Sequence, residues 1–294
     1  MSKIGFIGVG IMGRPMAGHL QRGGHQLYLV QHRSPLPAEL LAGGAIACAS
    51  GREVAQQAEI VVTMVPDTPD VEAVLFASDG VAAGLSPGKL VIDMSSVSPI
   101  ETKSFATRIA ELGCEYLDAP VSGGEVGAKG ATLTIMVGGP VAAFERAKPL
   151  FELMGKNITL VGDSGAGQTC KVANQIVVAL TIEAVAEALL FSSKAGVDPA
   201  RVRQALMGGF AGSKILEVHG ERMIKRTFEP GFRIALHQKD LNLALSGARA
   251  LGLSLPNTAT AQELFNACSA HDWSNLDHSA LVKALEVLAD HQVA

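Results

Sequence analysis

Apolar positions along the first half of the chain fall in short runs of strand length, separated by stretches with helical spacing. The runs are Ile4 to Ile7, Leu27 to Val30, Ile60 to Val65, Leu90 to Met94, Tyr116 to Asp118, Leu133 to Val137 and Ile158 to Val161. Alternation of this kind predicts an α/β fold, a doubly wound, mainly parallel sheet with helices on both faces. The pattern changes after Gly162-Asp163-Ser164-Gly165-Ala166-Gly167, where strand-like runs stop and helical periodicity continues to the C-terminus. The reading therefore divides the chain into a Rossmann-type dinucleotide-binding domain over 1–163 and an all-helical substrate and oligomerisation domain over 164–294. The second domain opens on a helix predicted from Gln168 to Ala195 and closed by Gly196, about 42 Å long at 1.5 Å per residue. Its middle, Ile176-Val177-Val178-Ala179-Leu180, is apolar around most of its circumference and is expected to be covered on several sides, in part by another subunit.

The first strand runs directly into Gly8-Val9-Gly10-Ile11-Met12-Gly13. In a Gly-x-Gly-x-x-Gly turn between a strand and a helix, the first glycine allows the tight turn. The second leaves room for a pyrophosphate, and the third lets the helix pack close to the strand. Unpaired N–H groups and the helix dipole then favour phosphate. Pro15 fits the first turn of that helix, where a missing N–H removes no bond. Ligands of such sheets bind beyond the carboxyl ends of the strands. That makes Val65-Pro66-Asp67 and Ser95-Ser96 candidate cofactor contacts, although Pro and Ser are equally ordinary turn formers.

Composition narrows the class. With 294 residues the chain has room for two domains, and 48% hydrophobic with 18% charged residues describes a packed protein rather than a disordered one. The net charge of −4 arises from 24 basic and 28 acidic residues without long runs of one sign, so neither nucleic acid nor an anionic membrane is an expected partner. Val172 to Phe191 is the longest apolar stretch, but Asn174, Gln175, Glu183 and Glu187 lie within it, and these groups are costly in lipid. Cys48, Cys114, Cys170 and Cys268 form no Cys-x-x-Cys pair, and the eight histidines show no ligand spacing. No metal is called for, and reduced thiols in the cytoplasm are the expectation.

Three places carry candidate chemistry. Lys171 and Asn174, three apart, share a face near the start of the long helix, just after the glycines that join the domains. Helix-end potential and partial burial both favour a neutral lysine fit for proton transfer, while a solvated surface lysine is the plainer alternative. The turn Asp118-Ala119-Pro120-Val121-Ser122-Gly123-Gly124 offers a hydroxyl and two glycine N–H groups to a carboxylate, or is simply a turn. Lys239-Asp240 lies in an amphipathic helix and reads by itself as a solvated pair.

Taken together and in order, Gly8 to Gly13, Asp118 to Gly124, Gly165 to Asn174 and Lys239-Asp240-Leu241 resemble the beta-hydroxyacid dehydrogenase family over nearly the whole chain. The resemblance implies an NAD-dependent oxidoreductase, with NADP possible, acting on a small molecule as a homo-oligomeric dimer or tetramer. It implies Lys171 as the catalytic lysine and general acid, with Asn174 beside it. Substrate would be held by Ser122, Gly123 and Gly124, and cofactor by Gly8, Gly10, Ile11, Met12, Gly13, Val65, Pro66, Ser96 and Lys239. Within the family, Asp93 to Ser96, Gly208 to Ser213, Pro230 to Ile234 and Asp277 to Leu281 are most similar to a branch that reduces a short hydroxylated semialdehyde. Other members act on 3-hydroxyisobutyrate, phosphogluconate or succinic semialdehyde, and some relatives have lost catalysis and only bind nucleotide. One position departs from the NAD pattern: Gln31-His32-Arg33-Ser34 follows the second strand without an acidic residue. His32 and Arg33 are therefore further cofactor candidates, Arg33 as a partner for a ribose 2′-phosphate.

Overall fold

The computed structural model describes residues 1–31 and 35–293, so the cofactor candidates His32 and Arg33 lie outside the described residues. The chain separates into two compact units, Met1–Lys171 and Val172–Ala294.

Among the described residues the first unit holds nine strands: β1 (Lys3–Ile7), β2 (Gln26–Val30), β3 (Ile46–Cys48), β4 (Ile60–Thr63), β5 (Leu90–Asp93), β6 (Glu115–Asp118), β7 (Val121–Ser122), β8 (Leu133–Gly138) and β9 (Gly155–Gly162). Between them run α1 (Gly13–Arg22), α2 (Ala38–Ala42), α3 (Gly51–Gln57), α4 (Thr68–Phe76), α5 (Pro99–Ala110), α6 (Gly124–Lys129) and α7 (Val141–Glu152). The spatial order is β3-β2-β1-β4-β5-β6-β8-β7, with β9 also on β8. Strands β3 to β6 in that order pair in parallel, whereas β8 meets β6 and β7 antiparallel.

Alternate residues serve the two faces, as a period of two requires. Ile4, Phe6, Leu27, Leu29, Val62 and Ile92 enter one core with Met16 and Leu20 of α1. Ile7, Tyr28, Val61, Val91 and Tyr116 enter the other with Val54 of α3, Val71 of α4 and Phe105 of α5. Since both faces are covered, the strands read as unbroken apolar runs. The direction of chain progression reverses between the neighbours β1 and β4, so their carboxyl ends open the crevice typical of dinucleotide sites.

The second unit is built from the greater part of α8 (Ala166–Lys194), then α9 (Pro199–Met207), α10 (Lys214–Lys225), α11 (Ile234–Ala250), α12 (Pro256–Ala270), a short 3-10 turn His278–Leu281, and α13 (Val282–Ala289). Its core gathers Ala179, Ile182, Ala186 and Leu189 of α8 around Leu216, Met223, Leu241, Phe265, Leu281 and Leu285. The spacing of those α8 residues defines a single stripe. Val177 and Phe191 on the remaining surface are 65% and 78% exposed, so the single chain does not cover this helix on several sides. Among the described residues, α8 alone has the length and apolar composition to cross a membrane. Its buried stripe and its Glu183 and Glu187 identify it instead as the core helix of this unit.

Candidate active site

The glycine turn meets each steric demand of a phosphate loop. Gly8 has φ +99, in the left-handed region, and any Cβ there would collide with the Met64 carbonyl. A Cβ at Gly13 would collide with the Gly8 carbonyl oxygen, so glycine is what allows α1 to start this close to β1. Around Gly10 the reverse holds: a Cβ would meet no atom within 4 Å. The chain thus has a glycine facing open space at the position a pyrophosphate must approach, which fits a bound dinucleotide. Ile11 is 66% exposed beside it, and Met12 immediately precedes α1.

The loops after β4 and β5 are held by one buried carboxylate. Asp93 accepts from Thr63 Oγ1 at 2.8 Å and from the Ser95 amide at 3.1 Å on one oxygen, and from the Tyr116 hydroxyl at 3.4 Å on the other. Ser95 Oγ in turn accepts from the Val65 amide at 3.0 Å, so the backbone entering Pro66 is tied to the strand neighbouring its own. Burial pushes the Asp93 carboxyl above its ordinary value, partly opposed by its Ser95 and Thr63 hydrogen bonds. Asp67 caps α4, which leaves its side chain a structural task.

A second buried carboxylate, Asp118 at the end of β6, anchors the start of α8. Its two oxygens accept from the amides of Gly165 at 2.7 Å and Gln168 at 2.8 Å. These amides would otherwise be unsatisfied at the helix end, and the carboxylate also meets the positive end of the helix dipole. Burial raises its pKa while those backbone bonds pull it back. Gln168, itself fully buried, spans the β5 loop: its Nε2 donates to the Ser95 carbonyl at 2.8 Å and its Oε1 accepts from the Val97 amide at 3.0 Å. Ser96 lies between those two backbone groups. Lys171 follows Gln168 by one turn and is only 7% exposed, so it is not the solvated surface lysine that the sequence alone leaves open. Ser122 ends β7, and Gly123 and Gly124 follow with φ of +130 and +58.

In the second unit, Asn174 and Gln175 continue α8. Asn174 Nδ2 donates to Gln175 Oε1 at 2.7 Å, and Gln175 Nε2 donates to Asp240 Oδ2 at 2.6 Å. Lys239 Nζ lies 2.9 Å from Asp240 Oδ1, with the two side chains 18% and 4% exposed. The pair is thus largely buried, contrary to its plain reading as a solvated helix face.

In the first unit the glycine turn packs against Met64 and Val65, and the loops holding Val65, Pro66 and Ser96 are tied through Ser95 and Gln168 to the start of α8, the helix that also bears Lys171; in the second, Asn174 is linked to Lys239 through Gln175 and Asp240. Asp93, Asp118 and Gln168 stand inside motifs that the sequence singles out, but their positioning roles, and that of Gln175, are not visible there. Asp93 closes the apolar strand Leu90-Val91-Ile92 and Asp118 follows Tyr116-Leu117, and a carboxylate at the end of a strand is the available signal. The two glutamines offered none, because their partners are distant in sequence.

Residues 3–162 match the NAD binding domain of 6-phosphogluconate dehydrogenase, and 165–285 match the NAD-binding domain described for NADP-dependent 3-hydroxyisobutyrate dehydrogenase. The chain belongs to the NAD-binding beta-hydroxyacid dehydrogenase family and is an NAD(P)-dependent oxidoreductase of that family. It is 67% identical to 2-hydroxy-3-oxopropionate reductase of Escherichia coli K12 over 292 residues, covering 99% of this chain and all of that one. Two solved structures share the fold over the full length. One is 3-hydroxyisobutyrate dehydrogenase from Salmonella typhimurium, with TM-score 0.85, 32% identity and 96% and 99% of the two chains covered. The other is 3-hydroxyisobutyrate dehydrogenase of Mycobacterium tuberculosis with L-serine, with TM-score 0.86, 33% identity and 97% and 99% covered.

Proposed function

We propose that this protein reduces the aldehyde of 2-hydroxy-3-oxopropanoate to give D-glycerate. The observation that carries the chemistry is Lys171, a buried amine on a helix whose first turn is fastened by Asp118 and Gln168. The identity to the Escherichia coli reductase supports the choice of substrate. Bound NAD(P)H supplies the hydride that reaches the carbonyl carbon. Lys171 gives a proton to the carbonyl oxygen as it becomes an alcohol, acting as general acid. Asn174, one turn further along α8, holds that oxygen or the lysine. Ser122 Oγ and the Gly123 and Gly124 amides receive the carboxylate, which a substrate with little apolar area must use for recognition. Gly8, Gly10, Ile11, Met12, Gly13, Val65, Pro66 and Ser96 hold the cofactor, and Lys239 lies beside it.

In this reading the residues through 163 serve the dinucleotide, and those from 164 serve substrate and assembly. The exposed Val177 and Phe191 on α8 support a homo-oligomer, dimer or tetramer, formed through the helical unit. The four free thiols suit the cytoplasm. NADH is the favoured cofactor, with NADPH tolerated because no acidic residue follows β2 to repel its phosphate. Steady-state kinetics across short semialdehydes with both cofactors tests the assignment. The highest kcat/KM is expected for 2-hydroxy-3-oxopropanoate with NADH, whereas a preference for the semialdehyde of 3-hydroxyisobutyrate would transfer the enzyme to that branch.

A further inference from the structure

One histidine in the first unit ties the helix of the glycine turn to the segment that follows Ser122. His19 lies on α1, six residues beyond Gly13, or about 9 Å along the helix axis. Its Nε2 is 2.9 Å from the Ala128 carbonyl oxygen and 3.1 Å from that of Lys129. Its Nδ1 is 2.8 Å from Arg22 Nη2. Ala128 and Lys129 close α6, the short helix that starts at Gly124. Ala128 is fully buried in the core that also holds Met16, Ala17 and Leu20 of α1.

These contacts define the ring. Carbonyl oxygens only accept, so Nε2 carries the hydrogen and divides it between the two. A guanidinium only donates, so Nδ1 is the bare nitrogen. Both nitrogens are thereby engaged with the protein, which leaves His19 to hold backbone in place rather than to move protons. The last carbonyls of a helix have no partner inside it. At the end of α6 a side chain from another element supplies the donor, and the Ala128 carbonyl takes a second, longer bond from the Ala131 amide at 3.5 Å.

The two sides of the Ser122 turn are held differently. Upstream, Val121 and Ser122 pair with Ile135 and Thr134 of β8, so the sheet fixes them. Downstream, Gly123 and Gly124 have φ of +130 and +58 and no side chain to pack. Glycine gives those two peptide units the widest conformational freedom, and the direction of their amides is therefore set by where α6 lies. The Gly127 amide donates to the Gly123 carbonyl at 3.0 Å, which makes the turn continuous with the helix. The far end of α6 is fastened by the Thr132 amide, which donates to the Gly127 carbonyl at 2.9 Å, and by His19. The first bond is local to the chain, whereas the second joins α6 to α1.

We propose that His19 is a positioning residue for carboxylate recognition. Held on α1, it sets through α6 the direction of the Gly123 and Gly124 amides that receive the substrate carboxylate. The inference rests on the proposed assignment of the Ser122-Gly123-Gly124 turn to that carboxylate. In that reading α1 also meets the pyrophosphate at its first turn, so one helix sets the register of both anionic groups. His19 acts on recognition of the acid group and leaves the transfer of hydride and proton untouched.

The test compares 2-hydroxy-3-oxopropanoate with glycolaldehyde, the same hydroxyaldehyde without its carboxylate, as substrates of the full chain at saturating NADH. His19→Leu removes the donor. The ratio of kcat/KM for the acid to that for glycolaldehyde should then fall by about 2- to 12-fold, the net range of one hydrogen bond. The fall should come from a higher KM for the acid, with kcat and the NADH dissociation constant close to wild type. His19→Gln places an amide N–H near the position of Nε2 and should return most of the ratio. His19→Met gives the same comparison if the leucine variant does not fold. An unchanged ratio would overturn the proposal, and so would equal losses for both substrates, since a general loosening does not single out the acid. A second check needs no variant: 15N spectra of the wild type should show His19 as the Nε2–H tautomer, and the Nδ1–H tautomer would refute the arrangement. Ser122→Ala separates this inference from the reading beneath it. If that variant lowers the ratio while His19→Leu does not, the turn reads the carboxylate and His19 does not position it. If neither variant lowers it, the assignment of the turn falls as well.

Discussion

Lys171 and Gly10 are the two residues whose replacement separates chemistry from binding. Lys171→Ala should lower kcat by roughly 100- to 10,000-fold, the range of general acid catalysis, and leave the NADH dissociation constant from calorimetry nearly unchanged. Near-normal turnover would remove the lysine from the mechanism. A Cβ at Gly10 meets no protein atom, so Gly10→Val should keep its Tm and lose NADH affinity. Unaltered affinity in that variant would mean that the dinucleotide does not approach this turn. For Ser122→Ala we expect KM for the semialdehyde to rise by the loss of one hydrogen bond to a charged group, worth about 1.5 to 3 kcal/mol. The glycine turn was legible in the sequence because three small residues at fixed spacing encode a local backbone shape. The burial of Lys171 was not, because burial depends on which distant strands and loops surround the helix start.

At the scale of elements, the start of α8 is where sequence and structure differ most in what they reveal. Its predicted span, 168–195, is close to the observed Ala166–Lys194, since Gly196 at φ +77 marks its end. What fastens its beginning is Asp118, nearly fifty residues away, a pairing invisible to local pattern. Strands β3 and β7 were also missed. They are three and two residues long, too short for an alternation to register. Removing the anchor by Asp118→Ala leaves the Gly165 and Gln168 amides without an acceptor, and urea unfolding should show a loss of about 1 to 3 kcal/mol. The same variant should lose kcat more than NADH affinity, because α8 carries Lys171 while the glycine turn belongs to α1. Equal losses in both would mean that Asp118 supports the sheet as a whole rather than the helix it caps.

Across the whole molecule, the two units should respond to acid in opposite senses. Asp93 and Asp118 have raised carboxyl values, so their contribution is present below the unfolded value of about 3.9 and is lost as pH rises through their own. Asp277 is depressed, so its contribution is present above about 3.9 and is lost as pH falls toward its folded value. His278, held neutral by burial, adds a loss that begins as pH falls through about 6.5. Hydrogen exchange near pH 4.5, corrected for intrinsic rates, should therefore show protection falling first around 231–237 and 277–281, ahead of β5 and β6. Uniform loss over both units would count against these assignments. The broad division into a sheet and a helical half was readable from periodicity alone, whereas the charge placement that sets this acid response depends on tertiary contacts.

The buried Gln168 amide behaves as a spare length of backbone, supplying the donor and acceptor that a neighbouring strand would otherwise present to Ser95 and Val97. The path of that loop is consequently specified from position 168, while the side chain presented by the loop is specified at position 96. Shape and chemistry are inherited separately there. A library randomised at residue 96 should return mostly folded proteins that differ in reactivity, and one randomised at residue 168 should return few folded proteins of any kind.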